Sequence, residues 1–128
     1  MNSPPDPPTA RFYPRSAMRF ERYADVPGES YIARLVGPEV SRTIGAGIAT
    51  FDGSEIDWTV LYDEVMVVLE GRFRLTAGGE TFEAGPGDVF WIPEGTPLRY
   101  YGEKAAVFYA VYPVDWRQRR AEPAHCPG

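Results

Sequence analysis

The fold of this chain is decided by one stretch, Trp58-Thr-Val-Leu-Tyr-Asp-Glu-Val-Met-Val-Val-Leu-Glu-Gly71. Its β-branched-rich part, Val65 to Leu69, is too short for a typical helix and predicts a buried strand. An acidic pair, Asp63-Glu64, enters this strand, and Gly71 signals a turn after it. The carboxylate of the second acidic residue either turns to solvent at the strand end or points into the interior.

The composition is typical of one small globular domain. The chain has 128 residues, of which 44% are hydrophobic, and this is enough for a core of its own. Aromatic residues make up 14%, and eight of them are tyrosines, which often line a cavity or an interface. A net charge of −5 without a clustered basic segment argues against nucleic acid as a partner.

Three features of the sequence predict a cytoplasmic protein. Its single cysteine, Cys126, cannot form an intrachain disulfide. No apolar run approaches the ~20 residues of a membrane span, which argues against a membrane partner. The first residues, Met-Asn-Ser-Pro-Pro-Asp-Pro-Pro, lack the apolar core of a signal peptide.

The pattern along the chain predicts a proline-rich tail at 1–16, a globular domain at 17–116 and a polar tail at 117–128. Five prolines in the first tail favour extended or disordered backbone, either as a loose end or as an arm around a partner subunit. The globular part contains short apolar or alternating segments between Gly/Pro turns, with almost no helical periodicity. This pattern predicts an all-β sandwich or barrel.

Two spacings narrow the type of barrel. Glu64 is followed after six residues by Gly71, and Gly87 is followed after five by Pro93-Glu-Gly95. With a predicted hairpin between them, these segments resemble the two signature motifs of the cupin superfamily. The resemblance implies a cupin double-stranded β-helix, which is a jelly-roll barrel.

Further segments are similar to the cupin domain of ethanolamine-utilisation Q-type (EutQ-like) proteins, over roughly 17–116. They are Trp58-Thr-x-x-Tyr-Asp-Glu64, Val68-Leu-Glu-Gly71, Gly87-Asp-Val, Ile92-Pro-x-Gly95 and Pro113-x-x-Trp116. This resemblance implies a cytoplasmic homodimer, and some members are credited with acetate kinase activity in a bacterial microcompartment. Longer members carry an N-terminal extension that this sequence does not show.

The histidines that bind a metal in typical cupins are replaced at the matching positions. The positions of the two histidines before the glutamate hold Asp57 and Thr59 in one register, or Trp58 and Val60 in the other. The position of the third histidine, after the Pro-x-Gly loop, holds Leu98. The only histidine, His125, lies in the predicted C-terminal tail. Since imidazole is the usual anchor for iron, zinc, copper or nickel, we expect no metal cofactor. A hard divalent cation on Asp57 and Glu64 remains the alternative.

Three residues are candidate catalytic groups. Glu64 comes first, because burial would raise its pKa and suit it to acid–base chemistry near neutral pH. Its alternative role is a structural carboxylate at a strand start. Asp57 shares the cavity if its register is inward and is solvated if it is outward. Tyr100 either orients a substrate or relays a proton, or is a core tyrosine with a satisfied hydroxyl.

The expected small-molecule ligand would be held by side chains near this glutamate. The substrate-binding candidates are Trp58, Thr59, Tyr62, Met66 and Leu98, and Phe90 and Trp91 are expected in the cavity wall or core. Together they predict a metal-independent enzyme of isomerase, dehydratase or cyclase type. The alternatives are a non-catalytic ligand-binding or scaffold cupin, and acetate kinase activity, for which the sequence shows no Walker-type phosphate loop.

Overall fold

A computed structural model describes residues 7–23 and 25–119. The strands in this part of the chain are β1 Glu21–Arg22, β2 Glu29–Val36, β3 Gly45–Asp52, β4 Glu55–Thr59, β5 Asp63–Ala77, β6 Glu80–Ala84, β7 Val89–Ile92 and β8 Pro97–Tyr112. A 3-10 turn at Arg15–Ala17 precedes them, and a four-residue helix, α1, follows at Trp116–Arg119. Neither helical segment is long and apolar enough to cross a membrane.

All the strands pair antiparallel in one folded sheet. The order is β1-β2-β3-β8-β5-β6, and β4 also pairs with β8 while β7 pairs with β5. The long strands β5 and β8 pair from Asp63–Tyr112 at one end to Thr76–Arg99 at the other. The two halves of β5 and β8 pair with different strands. One half of the pair is extended into a layer by β2, β3 and β7, and the other half is extended into a second layer by β4 and β6. The predicted all-β jelly roll is confirmed.

Gly71 marks the bend that lets β5 serve both layers. Its φ is +73°, and the register against β8 shifts on either side of Glu70. A Cβ at this glycine would run into the backbone carbonyl of Lys104, so both the left-handed backbone and the close approach require glycine. The prediction that Gly71 turns the chain is therefore wrong, because a bulge keeps Asp63–Ala77 in one strand.

The core between the layers is centred on three aromatic rings. Phe51, Phe73 and Tyr100 come from β3, β5 and β8, and their ring centroids lie 5.4–5.9 Å apart. Burying each ring stabilises the fold by about 2 kcal/mol. Tyr100 connects this cluster with the buried carboxyl of Glu64, because its hydroxyl donates a hydrogen bond to Oε1 of Glu64.

The described end of the N-terminal tail contacts the barrel at Tyr13 and Arg15, whereas residues 7–12 are exposed. The Arg15 guanidinium is 2.7 Å from the Glu70 carboxylate of β5, and the hydroxyl of Tyr13 is buried. Whether the segment wraps a partner subunit stays a prediction. Residues 1–6 and 120–128, including His125 and Cys126, lie outside the described residues.

Candidate active site

A cavity of about 180 Å³ opens between β2, β3, β5, β8 and the C-terminal segment. Apolar side chains form most of its wall: Ile32, Val36, Ala49, Met66, Val111, Val114 and Trp116. The polar side chains that join them are Tyr23, Arg34, Tyr62, Glu64, Tyr109, Arg117 and Gln118. An apolar cavity with a few convergent polar groups is typical of a small-molecule site.

Glu64 is the buried carboxyl of this cavity. Strand alternation separates it from its neighbour Asp63, whose carboxylate turns outward and accepts the backbone N–H of Glu94 at 2.9 Å. The Glu64 side chain enters the interior and is only 3% exposed. Burial raises its pKa to about 8, although the hydrogen bond from Tyr100 acts in the opposite direction. At neutral pH the carboxyl therefore carries a proton.

Tyr100 contacts the Glu64 carboxyl from the core side. Its hydroxyl donates to Oε1 of Glu64 at 3.2 Å, and the ring is buried in the core rather than in the cavity wall. Burial raises its pKa well above the usual value, and the nearby Glu64 raises it further. The indole N–H of Trp58 makes no hydrogen bond of standard geometry, but it is close enough to favour the phenolate slightly. Tyr100 thus remains a hydrogen-bond donor.

Asp57 and Thr59 lie on the outside of the barrel. The Asp57 carboxylate accepts two hydrogen bonds from the cross-strand Arg99, at 2.6 Å from Nε and 3.1 Å from Nη2, and this lowers its pKa. Since side chains alternate along β4, Trp58 and Val60 take the inward positions. Of the two registers that the sequence left open, Asp57 takes the outward one, and neither it nor Thr59 lines the cavity of Glu64.

The remaining candidates divide between the cavity and the core. Tyr62 and Met66 line the cavity. Trp58 and Leu98 face each other across the β4–β8 pair and pack in the core beside it. The ring centroids of Trp58 and Tyr62 lie 5.5 Å apart, so Trp58 packs against a side chain that lines the cavity. Trp91 is 63% exposed, so its predicted place in the wall or core is wrong.

The residues at the metal-ligand positions of a cupin do not fit a metal here. Trp58, Val60 and Leu98 offer no lone pair for coordination. Asp57 lies outside the barrel in a pair with Arg99 and does not face the cavity of Glu64, and a hard divalent cation stays a prediction. Within residues 7–23 and 25–119, no three His, Cys, Asp or Glu side chains form a group that could hold a metal ion.

Tyr109, Arg34 and Arg117 were not identified from the sequence. Burial raises the pKa of Tyr109 to about 12, with Arg34 and Arg117 opposing and Glu64 adding to the shift. The Tyr109 hydroxyl lies 2.5 Å from where a Cβ at Gly47 would stand. A glycine inside a strand signals such a close approach, so Gly45-Ala-Gly47 was the available clue to this tyrosine.

Residues 18–118 match the family model described as ethanolamine utilisation protein EutQ. The chain belongs to the EutQ family. It is 33% identical over 84 residues to the acetate kinase EutQ of Salmonella typhimurium, covering 65% of this chain and 37% of that protein. It is 30% identical over 87 residues to the acetate kinase EutQ of Clostridioides difficile, covering 67% and 55%. This EutQ-family chain thus spans about a third to a half of the length of these relatives.

Solved structures confirm the predicted cupin fold and EutQ-like family. The ethanolamine utilization protein Q of Salmonella typhimurium LT2 superposes with a TM-score of 0.72 at 30% identity, covering 79% of this chain and 84% of that one. The EutQ protein of Clostridioides difficile gives 0.66 at 28%, covering 70% and 72%. The polyketide cyclase RemF of Streptomyces resistomycificus gives 0.69 at 20%, covering 83% and 80%, and shares the fold alone.

Proposed function

We propose that this EutQ-family cupin is a metal-independent enzyme in which Glu64 acts as general acid and base on a small organic molecule. The observation that carries the proposal is a proton-bearing carboxyl, 3% exposed, in an apolar cavity of about 180 Å³. Its pKa of about 8 suits it to give and to take a proton near neutral pH. Isomerisation, dehydration and cyclisation fit, because each needs proton transfer and no redox centre.

The neighbouring side chains support both halves of such a cycle. Neutral Glu64 donates its proton to a substrate oxygen and becomes a carboxylate. The hydroxyl of Tyr100, 3.2 Å away, then stabilises the charge. The carboxylate recovers a proton from a substrate carbon or hydroxyl, and the apolar walls keep water from competing. Tyr100 is a positioning residue in this scheme.

Glu64→Gln is the direct test, because the amide keeps the shape and loses the titrating proton. Small hydroxy acids and ketones are incubated with the protein in D₂O, and NMR follows exchange at their C–H bonds. We expect the wild type to catalyse exchange with at least one of them and the variant to lose about 10²–10⁴-fold. Wild-type exchange rates in a correctly folded Glu64→Gln variant contradict the proposal.

Acetate kinase activity is the second candidate, because the curated relatives carry that name. The cavity of about 180 Å³ admits acetate but is smaller than typical ligand pockets of roughly 300–1,000 Å³, so a nucleotide needs further surface. Acetyl phosphate formation from acetate, Mg²⁺ and ATP tests this candidate directly. Formation that is proportional to protein and absent from a mock preparation would favour it over the acid–base enzyme.

We also propose that two copies of the chain associate, since the outside of β5 and β7 presents an apolar face. This β7 face consists of Val65, Val67, Val89 and Trp91, which are cross-strand neighbours in two successive rows. Val89 and Trp91 are 64% and 63% exposed, and all four side chains of this face are apolar. A two-fold axis through it would bring identical apolar patches together. A non-catalytic scaffold cupin would use the same face.

A further inference from the structure

We propose that Tyr109 is a catalytic residue that donates a hydrogen bond to the carbonyl oxygen of an enolisable ketone or aldehyde, while Glu64 exchanges a proton on the neighbouring carbon. The inference rests on the proposed function for the proton transfer, but not for binding of the ligand. Its basis is the direction of the Tyr109 ring, whose hydroxyl lies on the side of the cavity opposite to the strand that carries Glu64.

Small residues of β3 make room for this ring. Gly45, Gly47 and Ala49 alternate on the inward face of β3, and Gly47 lies opposite Tyr109 in the pairing with β8. A Cβ at Gly47 would stand 2.5 Å from the Tyr109 hydroxyl oxygen and 2.8 Å from Cζ. The ring therefore extends over β3, in a place that any larger side chain at position 47 would occupy.

Glu64 reaches the same cavity from the other neighbour of β8. Strand β8 lies between β3 and β5, and Glu64 and Met66 of β5 lie opposite Val111 and Tyr109 of β8. Two strand spacings, roughly 10 Å, separate the backbones of β3 and β5. A small ligand that lies across β8 thus meets the Tyr109 hydroxyl with one end and the Glu64 carboxyl with the other.

The Tyr109 hydroxyl is available as a donor. Tyr109 lines the cavity, and in the described part of the chain no hydrogen bond to another residue holds its hydroxyl. Burial raises its pKa to about 12, so the hydroxyl keeps its proton at neutral pH. An uncharged donor of this kind suits a carbonyl oxygen, which only accepts hydrogen bonds.

The arginines that line the cavity already have partners. The Arg34 guanidinium is 3.6 Å from the carboxylate of Glu21, and the Arg117 guanidinium lies 4.8 Å from the ring centroid of Trp116. The polar groups that remain for a ligand include the uncharged hydroxyl of Tyr109 and the protonated carboxyl of Glu64. Together with the apolar walls, they favour an uncharged molecule with an acceptor oxygen.

The step is complete without a further reactant. The ionised fraction of Glu64, about a tenth at pH 7, removes a proton from the carbon next to the carbonyl group. The C–H electron pair forms a C=C bond, and the π pair of the C=O bond moves to the oxygen. The hydrogen bond from Tyr109 stabilises the charge on this oxygen. Glu64 then returns the proton to the same carbon or to a neighbouring one.

Tyr109→Phe is the test, because it keeps the ring and removes only the hydroxyl. Calorimetry on the full chain measures the binding of 2-butanone, cyclohexanone and acetophenone, with ethylbenzene as the hydrocarbon that matches acetophenone. We expect the variant to bind the ketones roughly threefold to tenfold more weakly and ethylbenzene equally well. Tyr112→Phe, the same change at a half-exposed position of β8, should leave both affinities unchanged.

Two further measurements report on the hydrogen bond and on the reaction. The C=O stretch of ¹³C-labelled acetophenone should lie at lower frequency on the wild type than on Tyr109→Phe, because a hydrogen bond weakens the C=O bond. Exchange of the ketone C–H protons in D₂O should be about 10²-fold slower in Tyr109→Phe, mainly through kcat.

The outcomes separate this inference from the proposed function. If none of the ketones binds to the wild type, or if folded Tyr109→Phe keeps their affinity and the C=O frequency, the inference is wrong. Unchanged exchange in Tyr109→Phe overturns the catalytic role of this tyrosine. Glu64→Gln should keep the ketone affinity and lose only the exchange. Ketone binding that depends on Tyr109, without exchange in the wild type, would contradict the proposed function and support the binding site.

Discussion

A single residue, Glu64, connects the sequence of this protein with its proposed chemistry. In a metal-binding cupin the matching carboxylate would be one ligand among several. Here Trp58, Val60 and Leu98 occupy the positions of the others, and Val60 and Leu98 are almost fully buried. Burial penalises the charged form of Glu64, and this is why its pKa rises to about 8. On the proposed function, this carboxyl would act as a proton carrier at a position where a metal-binding cupin has a ligand.

This pKa shift predicts a pH-dependent stability. The unfolded Glu64 titrates near 4.5 and the folded one near 8, so the unfolded state loses its proton first. Stability is full below the lower value, falls as pH rises through this window, and is constant above it. The free energy of unfolding falls by about 5 kcal/mol at most over this window. Tyr100 and Tyr109 stay protonated throughout, because burial raises both of their pKa values.

Urea unfolding at pH 5 and pH 8 measures the effect. The wild type should lose more free energy of unfolding between these pH values than Glu64→Gln, which cannot titrate. Glu80→Gln, an exposed change on β6, should follow the wild type. Equal losses in the wild type and in Glu64→Gln would show that this carboxyl titrates as it does in water.

At the scale of elements, the bends of β5 and β8 build the cavity. Each strand crosses from one layer to the other, so Glu64 at the start of β5 and Tyr109 near the end of β8 share the layer that carries the cavity. Lys104, with a φ of +47°, lies at the same crossing as Gly71. A short strand ended by a turn could not pair with β7 through one half and with β6 through the other.

Gly71→Ala should destabilise the fold by about 2 kcal/mol or more, because it adds left-handed strain and a clash with the Lys104 carbonyl. Gly79→Ala is the matched control. Its φ is +79°, but a Cβ there meets nothing within 4 Å, so only the backbone cost of about 1 kcal/mol applies. Denaturant unfolding compares the two. Equal destabilisation would mean that the bulge has no steric requirement for glycine.

At the scale of the whole molecule, the two surfaces that the proposals concern belong to the same layer of the barrel. The cavity lies inside the layer formed by β2, β3, β8, β5 and β7, and the β7 face is the outer surface of one edge of this layer. Successive side chains of β5 alternate between them, Glu64 and Met66 inward and Val65 and Val67 outward. Association of two copies would therefore stiffen the strand that holds the catalytic candidate.

Trp91→Glu should convert the proposed dimer into a monomer, because it places a charge within the apolar β7 face. Sedimentation velocity at about 50 μM would show the change in mass, and the cavity should keep its ligand affinity. Phe82→Glu changes another exposed aromatic residue, on β6, and should leave the dimer intact. A monomeric wild type at this concentration would show that the face has no second copy as partner.

Local patterns were enough to predict the barrel and its family. Glycine and proline spacing, β-branched runs and the intervals from Glu64 to Gly71 and from Gly87 to Pro93 depend on neighbours along the chain. The same local signals predicted a turn at Gly71 where the structure has a bulge, because both need a glycine with left-handed backbone. They also could not choose between Asp57 and Trp58, since the inward face of β4 depends on its pairing with β8.

The sequence by itself determined that this protein is an all-β cupin without the histidines of a metal site, and it placed Glu64 in a buried strand. Only the tertiary structure decided what surrounds that glutamate. It turned Asp57 outward to Arg99 and brought Arg34 and Arg117 from distant segments to the lining of one cavity. The physical reason is that strand formation depends on local alternation, whereas the charge and shape of a cavity depend on which strands become neighbours.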